Sequence, residues 1–208
     1  MSKIILIGGF HEIIELAEEN SIEIVGIIDN TCCKRYRTYD IICDDEHAKN
    51  LDIYYRSIPL IITPDKPVTR KKLFEFYAEQ GFSFTSLISK KANISKSATI
   101  NEGTVIQLGV NVSADVLIGR FVKLNTFCNI MHNSKIGDFT TIGPNAVVLG
   151  NVIIGQYCYI GSNSTVLPGI SICDNVLIGA GTVVPKNILI PGTYIGNPAK
   201  PIETTNFL

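Results

Sequence analysis

The chain has 208 residues with nearly balanced charge, 18 Lys and Arg against 19 Asp and Glu, and 46% of its residues are hydrophobic. This balance predicts neither a nucleic acid nor a membrane surface as partner, and no run of 18 or more apolar residues marks a membrane span. The hydrophobic content is enough for one large or two small cores. Because the N-terminus enters directly into "KIILIGG", without the pattern of a signal peptide, we expect a cytoplasmic protein.

The six cysteines predict neither a disulfide framework nor a zinc site. Cys32 and Cys33 are adjacent and the other four are widely spaced, so that the sequence contains no C-x-x-C pair. We therefore expect reduced, mostly buried thiols and no metal.

Residues 1–87 have the pattern of a small α/β domain. The segment "KIILIGG" is typical of a buried strand, "HEIIELAEEN" of a short helix and "IEIVGIIDN" of a second buried strand, which together predict a βαβ unit with a parallel pair. "SIPLIITP" predicts another strand. "TRKKLFEFYAEQG" predicts a helix with Thr69 as N-cap and Gly81 just past its end. The acidic pair Asp44–Asp45 is interpreted as solvated.

The turn "IGGFHE" after the first strand is a candidate phosphate site. It lacks G-x-G-x-x-G and is therefore a weak dinucleotide fingerprint. As a strand-to-helix turn, Gly8 and Gly9 can still offer N–H groups to a phosphate. Asp29 ends the second strand, and Thr63 and Pro64 end the third near the same crevice. The alternative is that the glycines only form a tight turn and that Asp29 only caps a strand.

From residue 88 onward the dominant pattern has a period of six. Seventeen consecutive positions, taken every sixth residue from Ile94 to Ile190, are aliphatic without a break. This period fits neither an α-helix nor a hairpin sheet. It fits a β-solenoid in which each hexapeptide is one short strand plus a turn, with the aliphatic side chain inward. Three such faces make a coil of 18 residues, and the coils stack at the ~4.8 Å spacing of strands.

His132 is the residue of the solenoid that the repeat does not explain. It lies two positions after Ile130, where the side chain is predicted to point outward, and Gly150 lies one coil further on the same face. A histidine beside a position without a side chain has room for a ligand and an approachable N–H. The pair fits a general base next to an oxyanion donor. The alternative is a solvated or packed surface histidine.

The sequence resembles the hexapeptide-repeat acyltransferases, and among them the nucleotide-aminosugar N-acetyltransferases and sialic-acid O-acetyltransferases. The matching segments cover nearly the whole chain: "IGGFHE", "GIIDN", "TRKKLFEFYAEQGFSFTSLISKKANIS", "MHNSKIGDFTTIGPNAVVLGNVIIG", "YIGSNSTVLPGI" and "YIGNPAKPI". The resemblance implies an α/β N-terminal Rossmann-like domain that binds a nucleotide sugar, residues 1–87, followed by a left-handed parallel β-helix, residues 88–208. It also implies a homotrimer with active sites between subunits.

The resemblance assigns a role to each candidate of the solenoid. His132 falls on the family's catalytic segment, H-[EDG]-x-x-I-G-[DE]-[FY]. His132 would then be the general base for direct attack of a sugar amine on the thioester of acetyl-CoA, without a metal or a covalent enzyme intermediate. The Gly150 N–H would hold the thioester carbonyl oxygen. Acetyl-CoA would lie along the groove between neighbouring solenoids, near Ser162 and Ala180.

Two positions match the family at the nucleotide end and two depart from it in the solenoid. His11 falls on the family's loop histidine, and Asp29 on the acid that reads the base or ribose. Family members commonly carry Glu or Asp where this chain has Asn133, which can hydrogen-bond but cannot take a proton. Several carry a second, cofactor-binding histidine where this chain has Thr141, whose hydroxyl can still hydrogen-bond.

These observations leave several functions open. The first is an acetyl-CoA-dependent N-acetyltransferase acting on the 4-amino group of a nucleotide-linked 4-amino-4,6-dideoxy sugar for surface glycans, the nucleotide being UDP, dTDP or GDP. Asn133 keeps open an O-acetyltransferase acting on sialic acid or a related sugar. A γ-type carbonic anhydrase is excluded because it needs three zinc histidines and the solenoid contains one. A non-catalytic binding or structural solenoid is the remaining alternative.

Overall fold

The computed structural model describes residues 2–31 and 33–203, and Cys32 lies outside the described residues. The N-terminal part contains a sheet and three α-helices. Their bounds in chain order are β1 Lys3–Ile7, α1 His11–Glu19, β2 Glu23–Ile28, β3 Arg35–Tyr36, β4 Tyr39–Cys43, α2 Ile53–Arg56, β5 Leu60–Ile62 and α3 Pro67–Glu79.

The N-terminal sheet is mainly parallel, with the strand order β3-β4-β2-β1-β5. β1 pairs in parallel with β2 and β5, and β2 pairs in parallel with β4, while the short β3 is antiparallel to β4. The predicted βαβ unit with a parallel pair is present as β1, α1 and β2. Because the parallel strands run the same way, their carboxyl ends meet at one edge of the sheet, where ligands bind in open α/β folds.

The last helix of this part begins earlier than predicted. Thr69 lies within the first turn of α3, whereas Lys66 is the N-cap residue and Pro67 occupies the first helical position. Proline is suited to that position because its fixed φ is helical. Its lack of an N–H costs nothing there, since an N–H at the first helical position has no partner within the helix. The helix ends at Glu79, and Gly81 follows with a φ of 81°, in agreement with the predicted end.

The solenoid consists of three parallel sheets, to each of which every complete coil contributes one short strand. The first face contains β6 Leu87–Ile88, β9 Val105–Ile106, β12 Lys123–Leu124, β15 Thr141–Ile142, β18 Tyr159–Ile160, β21 Val176–Ile178, β23 Gly192–Ile195 and the antiparallel β24 Lys200–Ile202. The second face contains β7 Asn93–Ile94, β10 Asn111–Val112, β13 Asn129–Ile130, β16 Val147–Val148, β19 Thr165–Val166 and β22 Val183–Val184. The third face contains β8 Thr99–Ile100, β11 Leu117–Ile118, β14 Lys135–Ile136, β17 Ile153–Ile154 and β20 Ser171–Ile172.

The register of the stack follows the six-residue period. Ile130 pairs with Val112 on one side and with Val148 on the other, each one coil of 18 residues away. Every sixth residue from Ile106 to Val184 is buried, and these side chains form one continuous core inside the three faces. The inward direction of the aliphatic series is therefore confirmed over these coils.

The series ends before Ile190, contrary to the prediction. Ile190 is 71% exposed, whereas Ile188 is 5% exposed and bridges to Ile172. Ile188 lies 16 residues after Ile172 rather than 18, so the last coil is two residues short. Ile188 consequently takes the inward place that the strict period gives to Ile190.

The predicted boundary between residues 87 and 88 falls within β6, which pairs with β9 of the solenoid. The division into residues 1–87 and 88–208 stays a prediction. Among residues 2–31 and 33–203, no helix is long and apolar enough to cross a membrane.

The cysteines of the described residues are free thiols of differing exposure. Cys128 and Cys158 are buried in the solenoid core, and Cys43 and Cys173 are partly buried. Cys33 is exposed.

Arg70 joins the N-terminal domain to the solenoid. This residue of α3 is 2% exposed, and its guanidinium donates to the carbonyl oxygens of Phe121 and Phe139, at 3.1 and 2.6 Å, on consecutive solenoid coils. It also donates to the carbonyl oxygens of Pro64 and Asp65, at 3.0 and 2.6 Å. Burial lowers the pKa of Arg70 to about 10. One side chain therefore ties the loop after β5 to the solenoid.

Lys123 makes a second buried join on the first face. It is 1% exposed, and its Nζ lies 2.8 Å from both the Thr63 carbonyl oxygen and Asp65 Oδ1. The hydroxyl of Thr141 donates to the Asp65 carbonyl oxygen at 2.7 Å. Burial lowers the pKa of Lys123, and the Asp65 carboxylate acts in the opposite direction. The loop from Thr63 to Asp65 is thus held by outward side chains of the first face.

Replacing Arg70 is expected to destabilise the protein strongly. Arg70→Met would leave the carbonyl oxygens of Phe121, Phe139 and Pro64 without this donor, while that of Asp65 keeps the hydrogen bond from Thr141. We therefore expect the free energy of unfolding in urea to fall by roughly 3 kcal/mol. Lys72→Met on the same helix is the control, because Lys72 is exposed and its loss should cost under ~0.5 kcal/mol. Equal stability of the two variants would contradict the role given to Arg70.

Candidate active site

His132 lies on the corner between the second and third faces, in the turn from β13 to β14. Its side chain is exposed, as predicted, and its ring lies over Gly150 of the next coil. A Cβ at Gly150 would come within 2.7 Å of both Cε1 and Nε2 of His132. The imidazole can occupy this place only because residue 150 has no side chain. The predicted pairing of these two positions is confirmed.

The structure of the solenoid coil does not depend on a hydrogen bond from the N–H of Gly150. Two other positions at the same place in the repeat are proline, Pro144 and Pro168, so the turn does not need an N–H here. At Arg120 and Gln156 the equivalent N–H donates to a carboxylate of the following coil. Within residues 33–203 the Gly150 N–H makes no hydrogen bond. The turn thus leaves this donor available to an oxygen atom of a ligand.

Asn133 holds the imidazole in one tautomer. His132 Nδ1 lies 3.0 Å from Asn133 Oδ1. Because this amide oxygen can only accept, Nδ1 carries the proton and donates it. The Nε2 lone pair is then free to accept a proton. The uncharged amide of Asn133 therefore orients the His132 imidazole as a carboxylate at this position would.

The backbone explains why asparagine occupies position 133. Every sixth residue from Gly103 to Gly181 has a positive φ, and that of Asn133 is 61°. Glycine, asparagine and aspartate tolerate this left-handed conformation better than most other residues. Asn145, Asn151 and Asn163 occupy equivalent turns. The turn itself thus favours asparagine over the Glu of the family pattern, and it also accepts Asp, as at Asp115.

Ser162 and Ala180 line one shallow groove on the corner between the first and second faces. The groove has a volume of about 180 Å³, and Tyr159 and Leu177 of the first face form its apolar side. Ala180 is exposed and Ser162 is half-buried. The two positions predicted to contact the acetyl donor therefore lie together, one coil apart.

Thr141 does not lie in this groove. Its side chain is fully buried under the N-terminal domain, and its hydroxyl donates to the Asp65 carbonyl oxygen. The predicted cofactor contact of Thr141 is wrong in this structure, because the outward position on this part of the first face is covered. Thr141 helps to hold the domains together instead.

A crevice of about 220 Å³ lies at the carboxyl ends of β1, β2 and β5, where the nucleotide was predicted. Gly8, Asp29 and Pro64 of the predicted set line it. Its floor is apolar. The other lining residues are Ile7, Ile28, Asn30, Asp45, Thr69 and Leu73.

The glycines of the first turn serve packing more than ligand binding. The Gly8 N–H donates to the Ile28 carbonyl oxygen at 2.8 Å, and the Gly9 N–H donates to Asp29 Oδ2 at 2.7 Å. A Cβ at Gly8 would meet Thr63 Oγ1 at 2.8 Å, and Gly8 has a φ of 88°. The predicted phosphate cradle therefore cannot use these two N–H groups as they stand. Among residues 2–31 and 33–203, the N-cap residue Phe10 makes no side-chain hydrogen bond to α1, and the first N–H groups of that helix have no backbone partner.

The remaining candidates of the nucleotide end differ in exposure. His11 is exposed at the first position of α1. The Asp29 carboxylate accepts from the N–H groups of Gly9 and Thr31 and so fixes the turn as well as facing the crevice. Thr63 is 2% exposed and its hydroxyl donates to backbone carbonyls of β1 and Gly8, so its predicted direct contact with substrate is wrong.

The three predicted parts of the site lie on different sides of one chain. The crevice predicted to bind the nucleotide belongs to the N-terminal part that covers the first face. The groove at Ser162 and Ala180 lies on the corner between the first and second faces. His132 and Gly150 lie on the corner opposite the first face. One chain alone does not bring His132 to the crevice.

Sequence patterns did not identify Arg70, Lys123 or Asp45. Arg70 and Lys123 look like ordinary surface cations, because neither the helical nor the six-residue period marks contacts between domains. The sequence predicts a solvated Asp45, yet this residue lines the crevice. Its position two residues after β4, at the same edge of the sheet as Asp29, is the signal that could have found it.

Two family models match consecutive parts of the solenoid. The model described as bacterial transferase hexapeptide (six repeats) matches residues 115–150. The model described as hexapeptide repeat of succinyl-transferase matches residues 151–186. Together they span the coils that carry His132, Gly150, Ser162 and Ala180. Comparison with curated proteins gives no match.

Solved structures share the architecture over nearly the full chain. PerB from Caulobacter crescentus, in complex with CoA and GDP-perosamine, has a TM-score of 0.90 at 25% identity over 98% of each chain. The acetyltransferase domain of PglB from Neisseria gonorrhoeae, in complex with acetyl coenzyme A, has 0.88 at 25% identity over 96% of this chain and 98% of that chain. WeeI from Acinetobacter baumannii has 0.87 at 21% identity, covering 97% of this chain and 100% of that chain. The hexapeptide repeats and parallel stacks fit a left-handed β-helix.

Two substitutions at Asn133 are expected to separate its two roles. Asn133→Gly removes the hydrogen-bond acceptor without straining the left-handed turn, whereas Asn133→Ala removes the acceptor and strains the turn. We expect both variants to lose the preference of His132 for the Nδ1–H tautomer, measured by 15N NMR of the ring. Only the alanine variant should lose about 1 kcal/mol of unfolding free energy. An unchanged tautomer in both variants would refute the orienting hydrogen bond.

Proposed function

We propose that this chain, a hexapeptide-repeat acyltransferase, transfers an acetyl group from acetyl-CoA to the 4-amino group of a nucleotide-linked 4-amino-4,6-dideoxy sugar. The observation that carries the proposal is the His132–Gly150 pair, which combines a free Nε2 lone pair with an unused N–H. PerB binds CoA and GDP-perosamine, and the PglB domain binds acetyl coenzyme A. Acetyl-CoA is accordingly the co-substrate, and the protein acts in the cytoplasm on precursors of surface glycans.

The residues of the site divide the chemistry between a base and an oxyanion donor. His132 Nε2 accepts a proton from the sugar amine as its nitrogen attacks the thioester carbonyl carbon. The negative charge that develops on the carbonyl oxygen is stabilised by the Gly150 N–H. The C–S bond then breaks, and the proton passes from His132 to the leaving thiolate of CoA. No covalent bond to the enzyme forms in this sequence.

Asn133 supports the same mechanism without a second charge. Its amide accepts from Nδ1 of His132 and leaves Nε2 as the basic atom. A carboxylate at this position would also stabilise the imidazolium, and an amide does so less. The proposal therefore requires of Asn133 only that it fix the ring orientation. In this proposal His132 alone accepts the proton of the sugar amine.

The nucleotide part of the substrate is assigned to the Rossmann-like N-terminal domain. The carboxyl ends of its parallel strands form the crevice at Gly8, Asp29 and Pro64, which is where such folds bind nucleotides. The unpaired N–H groups at the start of α1, beside the exposed His11, are the donors assigned to the phosphates.

The separation of the parts supports a homotrimer with active sites between subunits. The crevice and the groove at Ser162 and Ala180 lie on other sides of the solenoid from His132. A neighbouring copy can bring its own groove and crevice to the His132 corner. A single-chain mass in light scattering would contradict this assembly.

The test is a mass-spectrometric screen of the purified protein with acetyl-CoA. The acceptors are 4-amino-4,6-dideoxy sugars linked to UDP, dTDP and GDP, together with free sialic acid. We expect a single acetyl group on the amine of one nucleotide sugar. His132→Asn should lower kcat by at least ~10²-fold, because the base is lost while the shape of the side chain is kept. Acetylation of a hydroxyl alone would replace the proposal with an O-acetyltransferase.

Two further variants complete this test. His47→Asn is the matched control, because His47 is an exposed histidine of the N-terminal domain that pairs with Asp44. The activity of this variant should equal that of the wild type. Gly150→Ala should fold normally, since Ala114 occupies the equivalent turn, yet its Cβ would displace the His132 ring. We expect a loss of kcat comparable to that of His132→Asn. Full activity of either site variant would remove that residue from the mechanism.

A further inference from the structure

Asp45 lines the nucleotide crevice and has no part in the chemistry described so far. The crevice presents oxygen acceptors from Asp29, Asn30 and Asp45 above an apolar floor. None of its lining residues is basic. Such a lining repels phosphate and favours a neutral group that carries N–H or O–H donors. The crevice is therefore suited to the nucleoside part of a nucleotide sugar.

The Asp45 carboxylate is fixed in place by neighbouring side chains. The hydroxyl of Tyr77, which is fully buried, donates to Asp45 Oδ1. Asn30 Nδ2 donates to Asp45 Oδ2 at 2.7 Å, and the Asp45 N–H donates back to Asn30 Oδ1 at 3.0 Å. Each carboxylate oxygen accepts one of these side-chain hydrogen bonds and can accept a second. A held acceptor pair of this kind is typical of a recognition site.

The strand order places Asp45 where the base of a nucleotide would lie. Across the sheet the order runs β1, β2, β4. The start of α1 follows β1, Asp29 follows β2, and Asp45 lies two residues after β4. With phosphates at the start of α1 and the ribose at Asp29, the base extends over the end of β4.

We infer that Asp45 reads the base of the nucleotide sugar and selects guanine. This inference rests on the proposed function. Guanine presents two adjacent donors on its pairing edge, N1–H and the N2 amino group, which match the two oxygens of one carboxylate. Adenine and cytosine present a ring acceptor beside a single amino donor. Uracil and thymine present one N–H between two carbonyl oxygens, which a carboxylate repels.

Calorimetric binding of nucleoside diphosphates tests the inference on the full chain. GDP is compared with IDP, which lacks only the N2 amino group, and with ADP, CDP, UDP and dTDP. For the wild type we expect GDP to bind at least ~10-fold more tightly than IDP and the others, because a site built for a donor rejects the analogue that lacks it. Asp45→Asn keeps the shape of the side chain and should reduce the GDP-over-IDP preference to under ~3-fold. Asp44→Asn, which changes the neighbouring carboxylate outside the crevice, should keep the full preference.

Each other outcome overturns the inference in a recognisable way. If Asp45→Asn weakens GDP and IDP equally, the carboxylate binds ribose or serves stability, and the base assignment is wrong. If the wild type prefers another diphosphate and acetylates the matching sugar, only the guanine assignment fails. If no diphosphate binds and no nucleotide sugar is acetylated, the proposed function fails as well. Melting temperatures of both variants separate loss of recognition from loss of folding.

Discussion

The buried join between the loop Thr63–Asp65 and the first face is the interaction on which the arrangement of the site depends. The side chains of Arg70 and Lys123 both donate hydrogen bonds to this loop. In the same loop, Pro64 lines the crevice and the Thr63 hydroxyl donates to the Gly8 carbonyl oxygen. Two cations are removed from water here, so their hydrogen bonds to carbonyls and to Asp65 must offset a large desolvation cost. These bonds fix the position of the predicted nucleotide crevice relative to the solenoid.

The solenoid confines chemical variation to its turns. Inward positions are held by the aliphatic core, and outward positions on much of the first face are covered by the N-terminal domain. The second position of each turn is free of both constraints, and it accommodates Ala114, His132, Gly150 and Pro168 without a change of register. A catalytic histidine can therefore stand there at little cost to folding, provided that the next coil leaves room for its ring.

Periodic features were predictable from sequence and non-periodic ones were not. The six-residue period predicted the three-faced stack and the pairing of His132 with Gly150, because a fixed period fixes the neighbours one coil away. The same period failed at Ile190, where the last coil is two residues short. The sequence predicts ligand contacts at Thr141 and Thr63 because nothing local indicates that other parts of the chain cover them. Asp45 was missed because its neighbours, Tyr77 and Asn30, are distant in sequence.

The departure at Asn133 lies where the backbone geometry of the turn and the proposed role of His132 make demands on one residue. The turn requires a positive φ, which favours asparagine or glycine, while the histidine requires an acceptor for its Nδ1–H. Glycine satisfies the first demand alone, glutamate satisfies the second at a conformational cost, and aspartate satisfies both but adds a negative charge. Asparagine satisfies both. In the proposed mechanism, its lack of charge leaves the proton entirely to His132. The choice of acceptor would then be decided by where the predicted nucleotide crevice of a neighbouring copy holds the sugar, and not by a second carboxylate beside the base.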